Sequence, residues 1–201
     1  GLIADQAKAT GLEVGDSLRP GPVGMQLVEL VAKDLAAPKI AQAPEPASGD
    51  FPPPTDFITV TYDKFVFKIP SEGFLFNEND CWIQVIGSRA RVGVSDFVQQ
   101  NMTDITYFEP AEVGKEVEQF DEVGSLESGK SMMDALSPAS GRIAAVNMEL
   151  VDSPGLVNED PYGRGWIAEI DLRDFETDKE LLLDAHSYAG IVEKKAAEAQ
   201  R

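Results

Sequence analysis

A series of short β-favouring runs, separated by glycine and proline, constrains the fold of this chain more than any other feature. The runs are rich in Val, Ile, Phe, Tyr and Thr, which pack well on pleated strands. They occupy residues 57–62, 65–69, 81–86, 89–94, 105–108, 141–146 and 166–172. Gly87 and Ser88 join two of the runs in the manner of a tight hairpin. Many short strands with Gly and Pro turns predict a mainly β domain, built as a small barrel or sandwich.

Two helices are predicted around this β region. Residues 95–102 predict a short helix with Ser95 as its N-cap. Residues 179–199 predict a C-terminal helix. One side of that helix carries Leu181, Leu182, Ala185, Tyr188 and Ile191.

The first 54 residues differ in character from the rest of the chain. Helical spacing of apolar residues predicts helices over residues 3–12 and 25–35, and a Pro/Ala-rich linker follows over residues 36–54. This extension is either a disordered tail or a helical segment that docks on a partner. We therefore divide the chain into an N-terminal helical extension with its linker (1–54), a β domain (55–178) and a C-terminal helix (179–201) packed on that domain.

The segment around Lys130 predicts a hairpin with this lysine near its turn. Ser128 and Gly129 are turn formers, and apolar residues flank them on both sides. A lysine at the tip of a tight hairpin is held away from competing contacts. Such an amine suits an enzyme that must attach a group to it.

The same letters also fit a nucleotide-binding pattern. Gly124–Ser131 reads G-x-x-x-x-G-K-S, but that pattern requires a buried apolar strand before it and a helix after it. Glu116–Val123, which precedes it, is rich in acid, and Pro138 leaves too few residues for a helix. Glu127 inside the loop would repel phosphate. We therefore expect no nucleotide site here.

The chain is strongly acidic, with a formal net charge of −18. This charge argues against nucleic acid and anionic membranes as partners and favours basic partners. No apolar run approaches the length of a transmembrane helix. Seven acids lead up to Lys130 and either steer basic rims of partner enzymes or only solvate strand edges. They are Glu109, Glu112, Glu116, Glu118, Asp121, Glu122 and Glu127.

Cys81 is the only cysteine and His186 the only histidine. One cysteine excludes an internal disulfide and a multi-cysteine zinc site. One histidine gives little support to a Ser-His-Asp triad or a multi-histidine metal site, and a polar surface or capping role is expected for it. We predict no catalytic residue and no metal.

Six ordered motifs carry a resemblance to the H protein of the glycine cleavage system. The match runs from about Gly73 to about Ile191, including the C-terminal helix, and residues 1–54 lie outside it. The motifs are Val92–Gln99, Glu109–Val117, Leu126–Ser131, Ser137–Gly141, Val157–Gly163 and Gly165–Ile167.

The resemblance implies a lipoyl-domain (hammerhead) β-barrel that carries lipoate covalently on Lys130. It implies a carrier without catalysis of its own, which shuttles an aminomethyl group between glycine decarboxylase and an aminomethyltransferase, with dihydrolipoamide dehydrogenase reoxidising the dithiol. A lipoate ligase or lipoyl transferase would read Glu127, with Ser128 and Gly129 forming the turn. The compartment implied is the bacterial cytoplasm or the mitochondrial matrix.

The chain departs from the family around the charged cradle that receives the loaded arm. Gly129 replaces the usual Val, Asp80-Cys81 replaces the usual His-Glu before Trp82, and Asn101 stands where a His is often found. Asp134 is retained.

Cys81 has two interpretations. It is either a small buried hydrophobe or a thiol that faces the cradle and exchanges with the lipoyl dithiol.

These departures leave two alternatives open. One is an H-like lipoyl carrier in another pathway, such as sulfur oxidation with heterodisulfide-reductase-like enzymes and their equivalents as partners. The other is a non-lipoylated structural subunit of a larger assembly.

Overall fold

The computed structural model describes residues 50–199. They belong to the second of two units, which divide between Ser48 and Gly49. The helices predicted at residues 3–12 and 25–35, and most of the predicted linker, lie outside the described residues. Within the described part, no helix is long and apolar enough to cross a membrane.

The described chain is mainly β, as predicted, with eleven strands. Their bounds are β1 Phe57–Tyr62, β2 Phe65–Pro70, β3 Leu75–Phe76, β4 Cys81–Ile86, β5 Arg89–Val94, β6 Ile105–Pro110, β7 Glu116–Val117, β8 Glu122–Ser128, β9 Met132–Leu136, β10 Gly141–Val146 and β11 Ala168–Leu172. The strands form a six-stranded sheet in the order β3-β4-β5-β11-β10-β7, a three-stranded sheet in the order β6-β8-β9, and the β1-β2 hairpin. The predicted β4–β5 hairpin is confirmed, and Gly87 adopts the positive φ of 62° that its turn requires.

Five α-helices connect or flank these strands in the described region. Their bounds are α1 Asp96–Met102, α2 Glu149–Asp152, α3 Leu156–Glu159, α4 Phe175–Asp178 and α5 Ala185–Glu198, with a 3₁₀ turn at Lys179–Leu181. Ser95 is the N-cap residue of α1, but its side chain makes no capping bond and instead contacts the Tyr188 hydroxyl at 2.8 Å.

The C-terminal helix begins later than the sequence predicted. It starts at Ala185 rather than near residue 179, because Leu183 first pairs with Phe76 of β3. Asp184 then caps the helix by accepting the Ser187 N–H at 2.7 Å. Leu181, expected on the apolar side of the helix, is 60 % exposed and lies outside it.

Two hydrophobic cores hold the domain together. The first combines side chains of the six-stranded and three-stranded sheets, including Ile143 and Ile170 from one and Phe108 and Leu126 from the other. This arrangement is the predicted sandwich of small sheets. It fixes the three-stranded sheet, and therefore the Lys130 hairpin, against the six-stranded sheet.

The second core is largely aromatic and joins the β1-β2 hairpin, β3, β4 and α5. Trp82 is fully buried, and its indole N–H donates to the carbonyl oxygen of Val94 at 2.9 Å. The rings of Phe76 and Tyr188 stack with centroids 4.3 Å apart. The predicted packing of the C-terminal helix on the β domain therefore has aromatic contacts at its centre.

Two residues assigned to the linker contact the domain. The carbonyl oxygen of Pro52 accepts a bond from Gln84 Nε2 at 2.9 Å. The guanidinium of Arg91 lies between the rings of Phe51 and Trp166, 4.5 Å and 4.7 Å from their centroids. Phe51 and Pro52 thus contact the β domain directly.

Candidate functional site

The Lys130 segment forms a hairpin at the edge of the three-stranded sheet, as predicted. β8 and β9 pair antiparallel, with Leu126 opposite Met133. Phe108 of β6 lies opposite Leu126 on its other side, and both residues are buried. This inner row anchors the hairpin in the first core, so packing holds the strands that lead to its tip.

Ser128 closes the turn with its backbone and its side chain. Its backbone N–H donates to the carbonyl oxygen of Ser131 at 2.8 Å. Its Oγ accepts the backbone N–H of Ser131 at 3.2 Å and that of Lys130 at 3.4 Å. Gly129 and Lys130 are therefore the two central residues of the turn. The hydroxyl of Ser128 orders a tip that the flanking strands alone would leave looser.

Lys130 is exposed at this tip. Among residues 50–199, no side chain or carbonyl forms an ion pair or hydrogen bond with its Nζ. A modifying enzyme therefore has no internal contact to break before it reaches the amine. Glu127 is exposed beside the turn, and Asp134 is exposed further along β9, opposite Ser125.

The nucleotide-binding alternative has no structural support. Gly124–Ser128 lies within β8, and the strand β9, not a helix, follows Lys130. The backbone therefore lacks the helix N-terminus that would face a phosphate. The structure therefore agrees with the interpretation of these residues as a hairpin with Lys130 in its turn.

Cys81 lies in the first core and is only 1 % exposed. Its Sγ contacts the carbonyl oxygen of Asn79 at 3.7 Å, and burial raises the pKa of the thiol to about 12. A buried thiol that stays protonated at neutral pH is a poor nucleophile for disulfide exchange. Its burial therefore argues against the hypothesis that Cys81 exchanges with the lipoyl dithiol and favours the alternative, a small buried hydrophobe.

Asp80, the other residue at the altered cradle position, is held by the C-terminal helix. Its Oδ2 accepts a bond from Lys195 Nζ at 2.8 Å, and its Oδ1 accepts one from the Tyr188 hydroxyl at 2.9 Å. Lys195 thus already balances its charge. Asp134 on β9 is therefore the acid predicted for the cradle that stays exposed.

A group of residues that the sequence analysis did not single out lies near the C-terminal end of β9. Asn77 Nδ2 donates to the carbonyl oxygen of Leu136 at 3.1 Å, which ties this end of the hairpin to the turn before β4. The carbonyl oxygen of Ser137 accepts the N–H of Phe120 at 2.8 Å. Glu78, Asn79, Phe120 and Leu181 line a cavity of about 370 Å³. Asn77, Asn79 and Asp80 favour a turn, and they were the available signal in the sequence.

The acids of the run before the hairpin differ in their surroundings. Glu116 and Glu118 pair with Arg173. Glu109 and Glu127 lie on the three-stranded sheet, and neither forms an ion pair with any residue of the described range. Glu112 and Glu122 are likewise exposed without an ion pair in the described range. Of these acids, Glu127 lies nearest to the Lys130 turn.

Comparison with known proteins decides the family. The sequence model described as glycine cleavage H-protein matches residues 74–195, which is more than half of the chain. The chain belongs to the glycine cleavage H-protein family. Residues 50–73, including the β1-β2 hairpin, precede the matched region.

Individual members of this family are similar over more than half of the chain. The glycine cleavage system H protein of Micrococcus luteus is 45 % identical over 120 residues, which cover 59 % of this chain and 93 % of that protein. The mitochondrial glycine cleavage system H protein 2 of Arabidopsis thaliana is 39 % identical over 116 residues, covering 58 % of this chain and 74 % of that protein.

A solved structure of a family member has the same fold. The crystal structure of a glycine cleavage system H protein from Mycobacterium marinum aligns with a TM-score of 0.53 and 30 % identity. It covers 61 % of this chain and 97 % of that chain. The H-protein fold thus accounts for the β sandwich.

Proposed function

We propose that this chain is a lipoyl carrier of the glycine cleavage system, with lipoate attached to Nζ of Lys130. Its membership of the H-protein family makes it a carrier component of that system. The attachment site is supported above all by the exposed amine of Lys130, which has no ion pair with any residue in 50–199. It stands on a turn that Ser128 holds closed.

The surroundings of Lys130 fit a covalently attached arm. Gly129 precedes it, and a Cβ built there meets no atom within 4 Å. Amide formation removes the ammonium charge of lysine. Since this ammonium has no partner within the described residues, the loss of its charge leaves no carboxylate there without an ion-pair partner. The same change at Lys195 would leave Asp80 without its main partner.

When attached, lipoate supplies a dithiol that carries an aminomethyl group between enzymes. The protein contributes a rigid base for this arm, because Leu126 and Phe108 fix the hairpin strands in the core. A tethered group meets each partner site at a high effective concentration. We propose that the chain performs no catalysis of its own and that its residues hold, orient and present the arm.

The specific partners follow from this role. They are a lipoate ligase or lipoyl transferase, glycine decarboxylase, an aminomethyltransferase and dihydrolipoamide dehydrogenase. The relatives reported above are named glycine cleavage H proteins, which favours this pathway over sulfur oxidation and over a purely structural subunit.

Mass spectrometry with site mapping tests the proposal. The unmodified chain is incubated with a lipoate-protein ligase, lipoate and ATP, and its intact mass is measured. We expect one lipoyl increment on Lys130, none in Lys130→Arg, and an unchanged increment in Lys115→Arg, which removes another exposed lysine. A lipoyl group on a different lysine, or none on the wild-type chain, contradicts the proposal.

Reconstitution with glycine decarboxylase then tests the pathway. The lipoylated chain is expected to support exchange of bicarbonate into the carboxyl group of glycine. If the lipoylated chain supports no exchange with decarboxylases from several sources, this result would favour a carrier role in another pathway, such as sulfur oxidation.

A further inference from the structure

The outer face of the three-stranded sheet carries a row of exposed side chains next to the turn. Tyr107 on β6 lies opposite Glu127 on β8, which in turn lies opposite Met132 on β9. Directly opposite residues of antiparallel strands share one face of the sheet. Tyr107 is 50 % exposed and Met132 is 68 % exposed, and Glu127 is exposed between them. The row therefore reads apolar, acidic, apolar.

The next row along the same face is acidic at both edges. Glu109 on β6 lies opposite Ser125, which lies opposite Asp134 on β9. In the described part of the chain, none of Glu109, Glu127 and Asp134 has an ion-pair partner. These two rows together form what we call the outer hairpin face: Tyr107, Glu109, Glu127, Met132 and Asp134.

The enzyme that attaches lipoate must contact this face. To bring Lys130 Nζ into its active site, it has to enclose the turn formed by residues 128–131. The inner side of the hairpin is closed to it, because Leu126 and Phe108 are buried there. The outer-face residues that flank the turn are Glu127 and Met132, which are paired directly. The rim of the enzyme's active site therefore covers them.

Enzymes that act on the loaded carrier work on the arm and not on the lysine amine. They react at the far end of the arm, away from the Lys130 turn. Only the attaching enzyme handles the bare lysine amine, so only this enzyme has to enclose the tip itself.

We infer that the outer hairpin face is the docking surface for the lipoate-attaching enzyme, with Tyr107 and Met132 as apolar contacts on either side of Glu127. The inference rests on the proposed function, and it adds these two residues to the acid already expected to be read. The fitting partner surface has a cationic side chain set between apolar ones. Apolar contacts around an ion pair exclude water from it, which strengthens the pair and sharpens recognition.

Steady-state lipoylation kinetics test this inference. The unmodified chain is the varied substrate of a lipoate-protein ligase, with lipoate and ATP saturating. The variants are Met132→Ser, Tyr107→Thr and the double variant. Controls with similar exposure outside this face are Met148→Ser (58 % exposed) and Val113→Thr (55 % exposed). Circular dichroism checks that each variant is folded.

We expect KM for the double variant to rise roughly tenfold, with kcat within about twofold of wild type, since lost docking contacts act on binding. Met132→Leu keeps an apolar side chain and is expected to have a KM close to that of the wild type. The two controls are expected to behave as wild type. A KM unchanged in the double variant, or raised equally in the controls, overturns the inference while lipoylation of Lys130 still supports the proposed function. A defect confined to aminomethyl transfer also overturns it. Absence of a lipoyl group on the wild-type chain overturns both.

Discussion

The ammonium of Lys195 lies 2.8 Å from Oδ2 of Asp80, although the two residues are 115 positions apart in the sequence. Lys195 also donates to the carbonyl oxygen of Glu78 at 2.7 Å. Asp80 has a positive φ of 64°, so it forms the turn that leads into β4. The contact fastens α5 to this turn. It also means that the acid before Cys81 stabilises the fold and is not free to receive a cationic group on the arm.

Replacement of Lys195 by Met is expected to lower the free energy of unfolding by about 2 kcal/mol, because it leaves a largely buried carboxylate without its cation. Urea unfolding at pH 7 measures the change. Lys194→Met is the matched control, since Lys194 is exposed and lies next to it on α5. Equal effects of the two substitutions would show that the Asp80 contact does not stabilise the fold.

The sequence predicted the features that depend on local patterns. The β4–β5 hairpin and the Lys130 hairpin follow from alternating apolar residues and from turn-forming Gly and Ser, which act over a few positions. The helices Glu149–Asp152 and Leu156–Glu159 were missed because a single turn is too short to show helical periodicity.

The remaining features depend on contacts between distant residues. The segment before Ala185 is extended because Leu183 pairs with Phe76, more than a hundred positions earlier. The burial of Cys81 and the pairing of Asp80 with Lys195 likewise require the assembled core. The position of Lys130 could thus be predicted, whereas the surroundings of the cradle could not.

The turn is expected to accept a side chain at Gly129. A Cβ built there meets nothing within 4 Å and the residue does not have a left-handed φ, so Gly129→Ala should raise the free energy of unfolding by about 0.5 kcal/mol by restricting the unfolded chain. Val, the usual residue of the family, should also be accepted. Thermal unfolding followed by circular dichroism measures both.

Gly141 provides the contrasting case for the same measurement. A Cβ built there would lie 2.1 Å from the carbonyl oxygen of Asp171 on the neighbouring strand. Gly141→Ala is therefore expected to cost about 3 kcal/mol, since backbone atoms must move. A similar loss for Gly129→Ala would mean that the turn is more tightly packed than the structure indicates.

The stacking of Phe51 on Arg91 predicts that Phe51 is energetically coupled to the sheet. Arg91 also pairs with Glu169, whose Oε1 lies 2.8 Å from Nη2. Phe51→Ala is expected to cost about 1 kcal/mol, part of it from the lost cation–π contact. A double-mutant cycle with Arg91→Lys isolates this contact, and we expect a coupling energy of about 0.5 kcal/mol. Additive effects would contradict the stacking.

The buried thiol of Cys81 predicts that stability falls at alkaline pH. Its ordinary pKa is 9.0, and burial raises the pKa in the folded state to about 12. Below pH 9 both states hold the proton, so the full stability is present. Between pH 9 and 12 the unfolded chain releases the proton while the folded chain keeps it, and the free energy of unfolding decreases.

Urea unfolding of the wild type and of Cys81→Ala at pH 7 and pH 10.5 measures this loss. Burial also raises the pKa of Tyr162 and Tyr188, so the variant is expected to lose stability too, but less than the wild type. Iodoacetamide provides a second readout: at pH 8 it should alkylate Cys81 slowly in the folded chain and quickly in urea, because the thiol is 1 % exposed. Rapid alkylation of the folded chain would show that the thiol reaches solvent and would support its exchange with the lipoyl dithiol.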